Sequence, residues 1–215
     1  MLRVGIAVAG DLLRESVHNC LQDRQDLHTC LVQDVSEIMT LLRMQPLDAL
    51  VLDDQFDQAT WIGTLVSALK QAAPHTAILV IGSFANGAFI YELLDVGIDG
   101  YLFRGDDLAP LFVPAIEAVC AHRLYLSPRA TSEYAQVVRS GHGRQWWGLD
   151  EQSKQVLRML ADGKVVRDIA SALHLKDRQV YAIRARLRQR FQASTNEELM
   201  LNAGLQGYLR HGGRA

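Results

Sequence analysis

Arg178, Arg184, Arg186, Arg188 and Arg190 crowd into one short segment near the end of the 215-residue chain. Guanidinium groups at that density repel one another unless a polyanion neutralises them, and a nucleic-acid backbone does so with release of its own counterions. A solvated basic face on a core helix is the alternative that composition leaves open. The net charge of −2 conceals a strong asymmetry: residues 1–125 carry 7 Lys and Arg against 16 Asp and Glu, whereas residues 126–215 carry 15 against 8. Only the rear part offers a polyanion a favourable surface. Other reactive side chains are sparse. The seven histidines are scattered, with no nucleophile and base at a working spacing and no metal motif. Cys20, Cys30 and Cys120 are odd in number and widely separated, as small core residues are. Ala9-Gly10 is too short for a phosphate loop, and Asp53 reads by composition as a polar residue at a strand end. Neither an enzyme nor a cofactor or metal requirement is expected.

The elements that position the arginines are helical. Gln152–Leu160 sets Val156, Leu157 and Leu160 on one face and meets a stop at Gly163. Val166–Leu173 turns Ile169, Ala170 and Leu173 inward, and His174-Leu175-Lys176 makes a tight turn that Asp177 can cap. A longer helix over Asp177–Phe191 then keeps Val180, Ile183, Leu187 and Phe191 in one buried stripe and places the arginines on its other faces. A short helix, a tight turn and a longer second helix have the shape of a helix-turn-helix, whose second helix enters the major groove of DNA. With a further helix behind, residues 148–215 form an all-α, four-helix domain.

The front of the chain alternates strand-like runs with helix-length amphipathic segments, the pattern of a parallel sheet with crossover helices. Strands are expected at Arg3–Ala9, His28–Val32, Ala49–Asp53, Ala77–Gly82 and Gly100–Phe103. Helices are expected near Leu12–Gln22, Ser36–Arg43, Thr60–Ala73, Asn86–Val96 and Leu108–His122, with Ser36 and Asn86 as N-caps. Residues 1–125 thus read as a doubly wound α/β domain with a five-stranded parallel sheet, and residues 126–147 as a linker, part of it helical, that Trp146 and Trp147 close as a hydrophobic staple. No apolar run approaches the roughly 18 residues of a membrane span, so a cytoplasmic protein is expected.

The stretch LDEQSKQVLRMLADGKVVRDIASALHLKDRQVYAIRARLRQRF resembles, without a gap, the LuxR-type helix-turn-helix of the NarL/FixJ response regulators, usually LTxREREVLxLLAxGxSNKEIAxxLxISxxTVKxHxxxIxxKL. Leu149, Val156, Leu157, Leu160, Ala161, Gly163, Ile169, Ala170, Leu173, Leu175, Val180 and Leu187 fall on the family's core positions. The reading surface departs more: the family's lysine and histidine become Tyr181 and Ile183, its small polar cap becomes Lys176, and its acidic Glu-x-Glu becomes Ser153 and Gln155. By position, the resemblance puts Lys176, Arg178, Tyr181, Ala182 and Ala185 where family members meet DNA. Arg184, Arg186 and Arg188 join them on charge.

The front domain resembles the receiver of the same regulators through LLRE (Leu12–Glu15), DALVLD (Asp48–Asp53), ILVIGS (Ile78–Ser83), GIDGYL (Gly97–Leu102) and RLYLSP (Arg123–Pro128). The resemblance implies that Asp53 holds the phosphoacceptor position. A working receiver also needs an acidic pair for Mg²⁺, a Thr or Ser after the fourth strand and a Lys after the fifth. Here the acidic pair becomes Val8-Ala9 or Ala9-Gly10, leaving Asp11 and Asp54 as nearby carboxylates. The Thr position is Gly82, with Ser83 adjacent, and the Lys position is Arg104. Asp53 is therefore expected to be a vestigial acceptor in a degenerate pocket of Ala9, Gly10, Asp11, Asp54, Gly82, Ser83 and Arg104.

Together these point to a transcription regulator that binds double-stranded DNA as a homodimer, without control by aspartyl phosphorylation. A dimer face is expected on the late segment carrying Leu108, Leu111, Phe112, Ile116 and Val119. Three alternatives stay open: a regulator still phosphorylated on Asp53 by a histidine kinase, an interaction module that no longer binds DNA, and a sensor holding a small-molecule effector in the emptied pocket.

Overall fold

The computed structural model describes residues 1–22, 24–57, 60–139, 149–191, 193–205 and 208–209. Trp146 and Trp147 lie outside them. The chain divides into two units, Met1–Gly141 and His142–Ala215.

The first unit contains β1 (Leu2–Ala7), α1 (Asp11–Gln22), β2 (Leu27–Leu31), α2 (Val35–Met44), β3 (Ala49–Asp53), α3 (Ile62–Ala72), β4 (Ala77–Gly82), α4 (Gly87–Asp95), β5 (Gly100–Phe103), α5 (Phe112–Cys120), β6 (Tyr125–Leu126) and α6 (Pro128–Arg139). All strands pair in parallel in the order β2-β1-β3-β4-β5-β6. Strand side chains alternate faces, which explains the unbroken apolar runs of β3 and β4. Leu50, Leu52, Ile78 and Val80 pack under α2, α3 and α4, while Ala49, Val51, Leu79 and Ile81 pack under α1 and α5. Both faces are covered, as all-parallel sheets require.

Three details differ from the sequence expectation. The sheet has six strands: Tyr125 and Leu126 pair with Gly100 and Tyr101, a ladder too short for any periodicity to announce. Ser127 extends it, because its buried Oγ accepts from the Phe103 amide at 2.9 Å. Much of the stretch expected as linker, residues 126–139, therefore belongs to the first unit. Its helix α6 lies on α4, with Tyr91 and Tyr134 stacked at 6.0 Å; a Cβ on Gly87 would come within 2.2 Å of the Glu133 carbonyl oxygen, so glycine permits the approach. Second, α2 is capped by Asp34, whose carboxylate accepts from the Glu37 amide at 2.8 Å, and Ser36 lies inside the helix. Asn86 caps α4 as expected. Third, Phe112, Ile116 and Val119 are buried against the sheet with Leu108 and Leu111 packed around them. The apolar stripe of α5 is core, and the dimer face expected there is not available.

The second unit holds α7 (Glu151–Ala161), α8 (Val166–Ala172), α9 (Asp177–Arg190) and α10 (Asn196–Leu205). Asp150 caps α7 by accepting from the Ser153 amide at 2.7 Å. Gly163 follows α7 at φ +74, a left-handed conformation that costs glycine little. The core is Leu149, Val156, Leu157, Ile169, Ala170, Val180, Ile183, Leu187 and Phe191, closed by Leu199, Ala203, Tyr208 and Leu209. Among the described residues, no helix is long and apolar enough to cross a membrane.

Candidate nucleic-acid interface and receiver pocket

Helix α9 turns by about 100° per residue, so burying Val180, Ile183 and Leu187 fixes which side chains face away. Arg178, Ala182, Ala185 and Gln189 occupy the opposite face, and Tyr181 stands at its shoulder, 51% exposed. The tight turn before α9 rests on His174 at φ 54 and on the Leu175 amide donating to the Ala170 carbonyl at 2.8 Å. Asp177 is the first residue of the helix, not its cap: Lys176 holds the cap position, and its amide donates to Gln179 Oε1 at 2.8 Å.

The arginines divide by what they touch. Arg178 and Arg186 are exposed. Arg186 also lies close enough to Asp150 to help the Ser153 amide hold that carboxyl below its usual range. Arg184 stacks over the Tyr181 ring, its guanidinium carbon 4.9 Å from the centroid. Arg188, placed on the contact surface by charge, donates to Asn196 Oδ1 at 2.9 Å and so ties α9 to α10. Arg190 donates to the Tyr208 hydroxyl at 2.8 Å and lies over the Phe191 and Tyr208 rings, each 5.4 Å away. Sequence reasoning missed these internal ties, because their partners sit in segments with no motif of their own.

In the first unit, β1, β3, β4 and β5 bring their C-terminal ends together around Asp53. This carboxylate is fully buried and occupied on both oxygens. Oδ1 accepts from Arg104 Nη2 at 2.5 Å and the Gln55 amide at 3.0 Å; Oδ2 accepts from the Ala9 amide at 3.0 Å. Asp54 turns the other way, accepting from the Ser83 amide at 2.8 Å and Ser83 Oγ at 3.1 Å, with Arg104 at 3.9 Å. Burial, reinforced by the neighbouring Asp53, raises Asp54 to about 6, against the pull of the Ser83 amide and Arg104.

Asp11 does not join the group: its side chain is 90% exposed and paired with Arg14 at 3.4 Å. Gly10, at φ +82, supplies only the turn into α1. At the Thr position, the space beside Gly82 is filled by Tyr101. A Cβ there would stand 1.8 Å from the phenol oxygen, which donates to the Phe84 carbonyl at 2.7 Å. Tyr101 and Gln55 were not anticipated, since neither follows from the acidic and basic positions that define a receiver.

The receiver fold implies Mg²⁺ at this place. The residues present do not fit it: the guanidinium and two amides occupy the Asp53 oxygens, Asp54 is engaged with Ser83, and Asp11 points to solvent. A hard dication needs several anionic oxygens free to converge. Among the described residues, no group of three or more His, Cys, Asp or Glu side chains could hold a metal ion.

Residues 149–203 match the family described as bacterial regulatory proteins, luxR family. This segment is a LuxR-family domain. The match runs from Leu149 through α7, α8 and α9 into α10, so the arginine-bearing helix is the second helix of the LuxR-family helix-turn-helix. The whole chain is similar to response regulators of the NarL/FixJ kind. It is 24% identical over 178 residues to the Fimbriae Z protein of Salmonella typhimurium, covering 82% of this chain and 83% of that one. With the uncharacterized transcriptional regulatory protein YxjL of Bacillus subtilis it shares 22% over 208 residues, 94% of each. Among solved structures, RcsB from Salmonella enterica serovar Typhimurium, bound to promoter rprA with the phosphomimetic BeF3−, has the same two-part fold: TM-score 0.64, 19% identity, 94% of this chain and 97% of that chain. A structure of two RcsB dimers on two parallel DNAs gives a TM-score of 0.62 at 17% identity, covering 95% and 98%.

Proposed function

We propose that this chain is a DNA-binding transcription regulator of the response-regulator type, and that its receiver-like unit is not switched by aspartyl phosphorylation. The first half rests on one observation: in a LuxR-family domain, α9 buries its apolar stripe and turns Arg178, Tyr181, Ala182, Ala185 and Arg186 outward. Small residues let the helix approach the floor of a major groove, and the flanking guanidinium groups meet phosphates or guanine edges. Two copies on adjacent half-sites supply the selectivity that one short helix lacks, an arrangement favoured by the RcsB dimers on DNA.

The second half rests on the pairing of Arg104 with Asp53. An acceptor carboxylate must be within reach of the incoming phosphorus, and here the Asp53 carboxylate is fully buried, with Arg104 and the Gln55 amide on Oδ1 and the Ala9 amide on Oδ2. A salt-titrated binding assay of the full chain on genomic DNA fragments tests the first half: affinity is expected to fall steeply and log-linearly with salt. Absence of salt-dependent binding would leave the interaction-module reading in its place.

A further inference from the structure

On the DNA-binding reading above, we propose that Tyr181 and Arg184 act as one reading unit, selecting a guanine with a thymine beside it. Arg184 leaves α9 from the flank of the helix, nearer the buried stripe than the outward face. From there a free arginine would extend to a phosphate. Here the guanidinium carbon lies over the Tyr181 ring, 4.9 Å from its centroid, and Tyr181, half exposed, stands between that flank and the outward face. The two residues are three apart and therefore neighbours on the helix surface. The guanidinium gains orientation without losing its charge, because the ring face attracts a cation while leaving the N–H edge free.

The chemistry of the pair then specifies what it recognises. A guanidinium presented edge-on matches O6 and N7 of guanine, and an exposed aromatic surface beside it suits the thymine 5-methyl group, the principal apolar feature of the major-groove floor. Arg188 and Arg190 cannot serve in this way while bound to Asn196 and Tyr208. Arg178 stands a further turn away and is free to contact a separate base or phosphate.

The test is selection of duplexes from a pool with a randomised core by the full-length protein, followed by affinity measurements on the selected site and on mixed-sequence DNA. Wild type should enrich adjacent thymine and guanine. Tyr181→Ala should cut the ratio of specific to mixed-sequence affinity by roughly 10-fold, the scale of one bidentate base contact. Tyr181→Phe should keep the preference and Arg184→Lys should lose it. An unchanged preference in Tyr181→Ala, or a loss in Tyr181→Phe equal to that in Tyr181→Ala, overturns the inference while leaving DNA binding intact. Absence of any salt-dependent binding by wild type overturns both readings together.

Discussion

Asp53 shows how a substitution elsewhere changes the chemistry of a side chain that is itself retained. Its carboxylate sits at the end of β3, as the resemblance implies, yet Arg104 places a planar cationic fork on it where a lysine would present a compact ammonium. Removing the fork leaves a fully buried carboxylate without its cation. Arg104→Ala is therefore expected to destabilise the first unit by about 2–3 kcal/mol, at or below the low end for a buried pair because the guanidinium is 35% exposed. Urea denaturation followed by circular dichroism measures this; a change within about 0.5 kcal/mol, the scale of an ordinary surface substitution, would contradict it. Asp54 makes a pH-dependent contribution of known sign. Its folded value, raised to about 6, lies above the ordinary 3.8, so the folded state holds a proton that the unfolded chain has released. Stability should fall as pH rises from about 4 to about 6 and then level off, by about 3 kcal/mol at most. Denaturation midpoints across that range should show the slope in wild type and its loss in Asp54→Asn.

At the scale of elements, α9 divides its arginines between holding the fold and facing outward. Arg190→Ala removes the tie to Tyr208 and should lower the stability of the second unit by about 1–2 kcal/mol, read as a lower melting temperature. Arg178→Ala removes nothing that the core uses. It should leave melting unchanged and weaken DNA binding by about 1–3 kcal/mol with relaxed selectivity if it contacts a base, or flatten the salt slope by about one if it contacts a phosphate. A drop in melting temperature for Arg178→Ala, with none for Arg190→Ala, would reverse these assignments. The division was illegible in sequence because Asn196 and Tyr208 carry no pattern linking them to α9. The buried stripe, by contrast, was legible from the spacing of Val180, Ile183 and Leu187 alone.

At the scale of the molecule, the two-unit architecture could be read from charge and periodicity, and the family match over residues 149–203 agrees with the helix-turn-helix register. Physical reasons explain what could not be read. A two-residue strand such as β6 has no period. The stripe on α5 shows which side of the helix is apolar but not that the sheet already covers it. The contact between Asp53 and Arg104 spans 51 positions and exists only because β3 and β5 flank β4. These same features underlie the proposal on regulation, since the Asp53 carboxylate is fully buried and holds Arg104, the Gln55 amide and the Ala9 amide within the fold. The most direct test is the DNA affinity of the full chain at one fixed salt concentration, before and after incubation with acetyl phosphate and Mg²⁺, beside Asp53→Asn treated identically and with intact mass recorded. The account predicts one affinity in all four samples and no mass gain; a gain of one phosphoryl group on wild type alone, with tighter DNA binding, would contradict it.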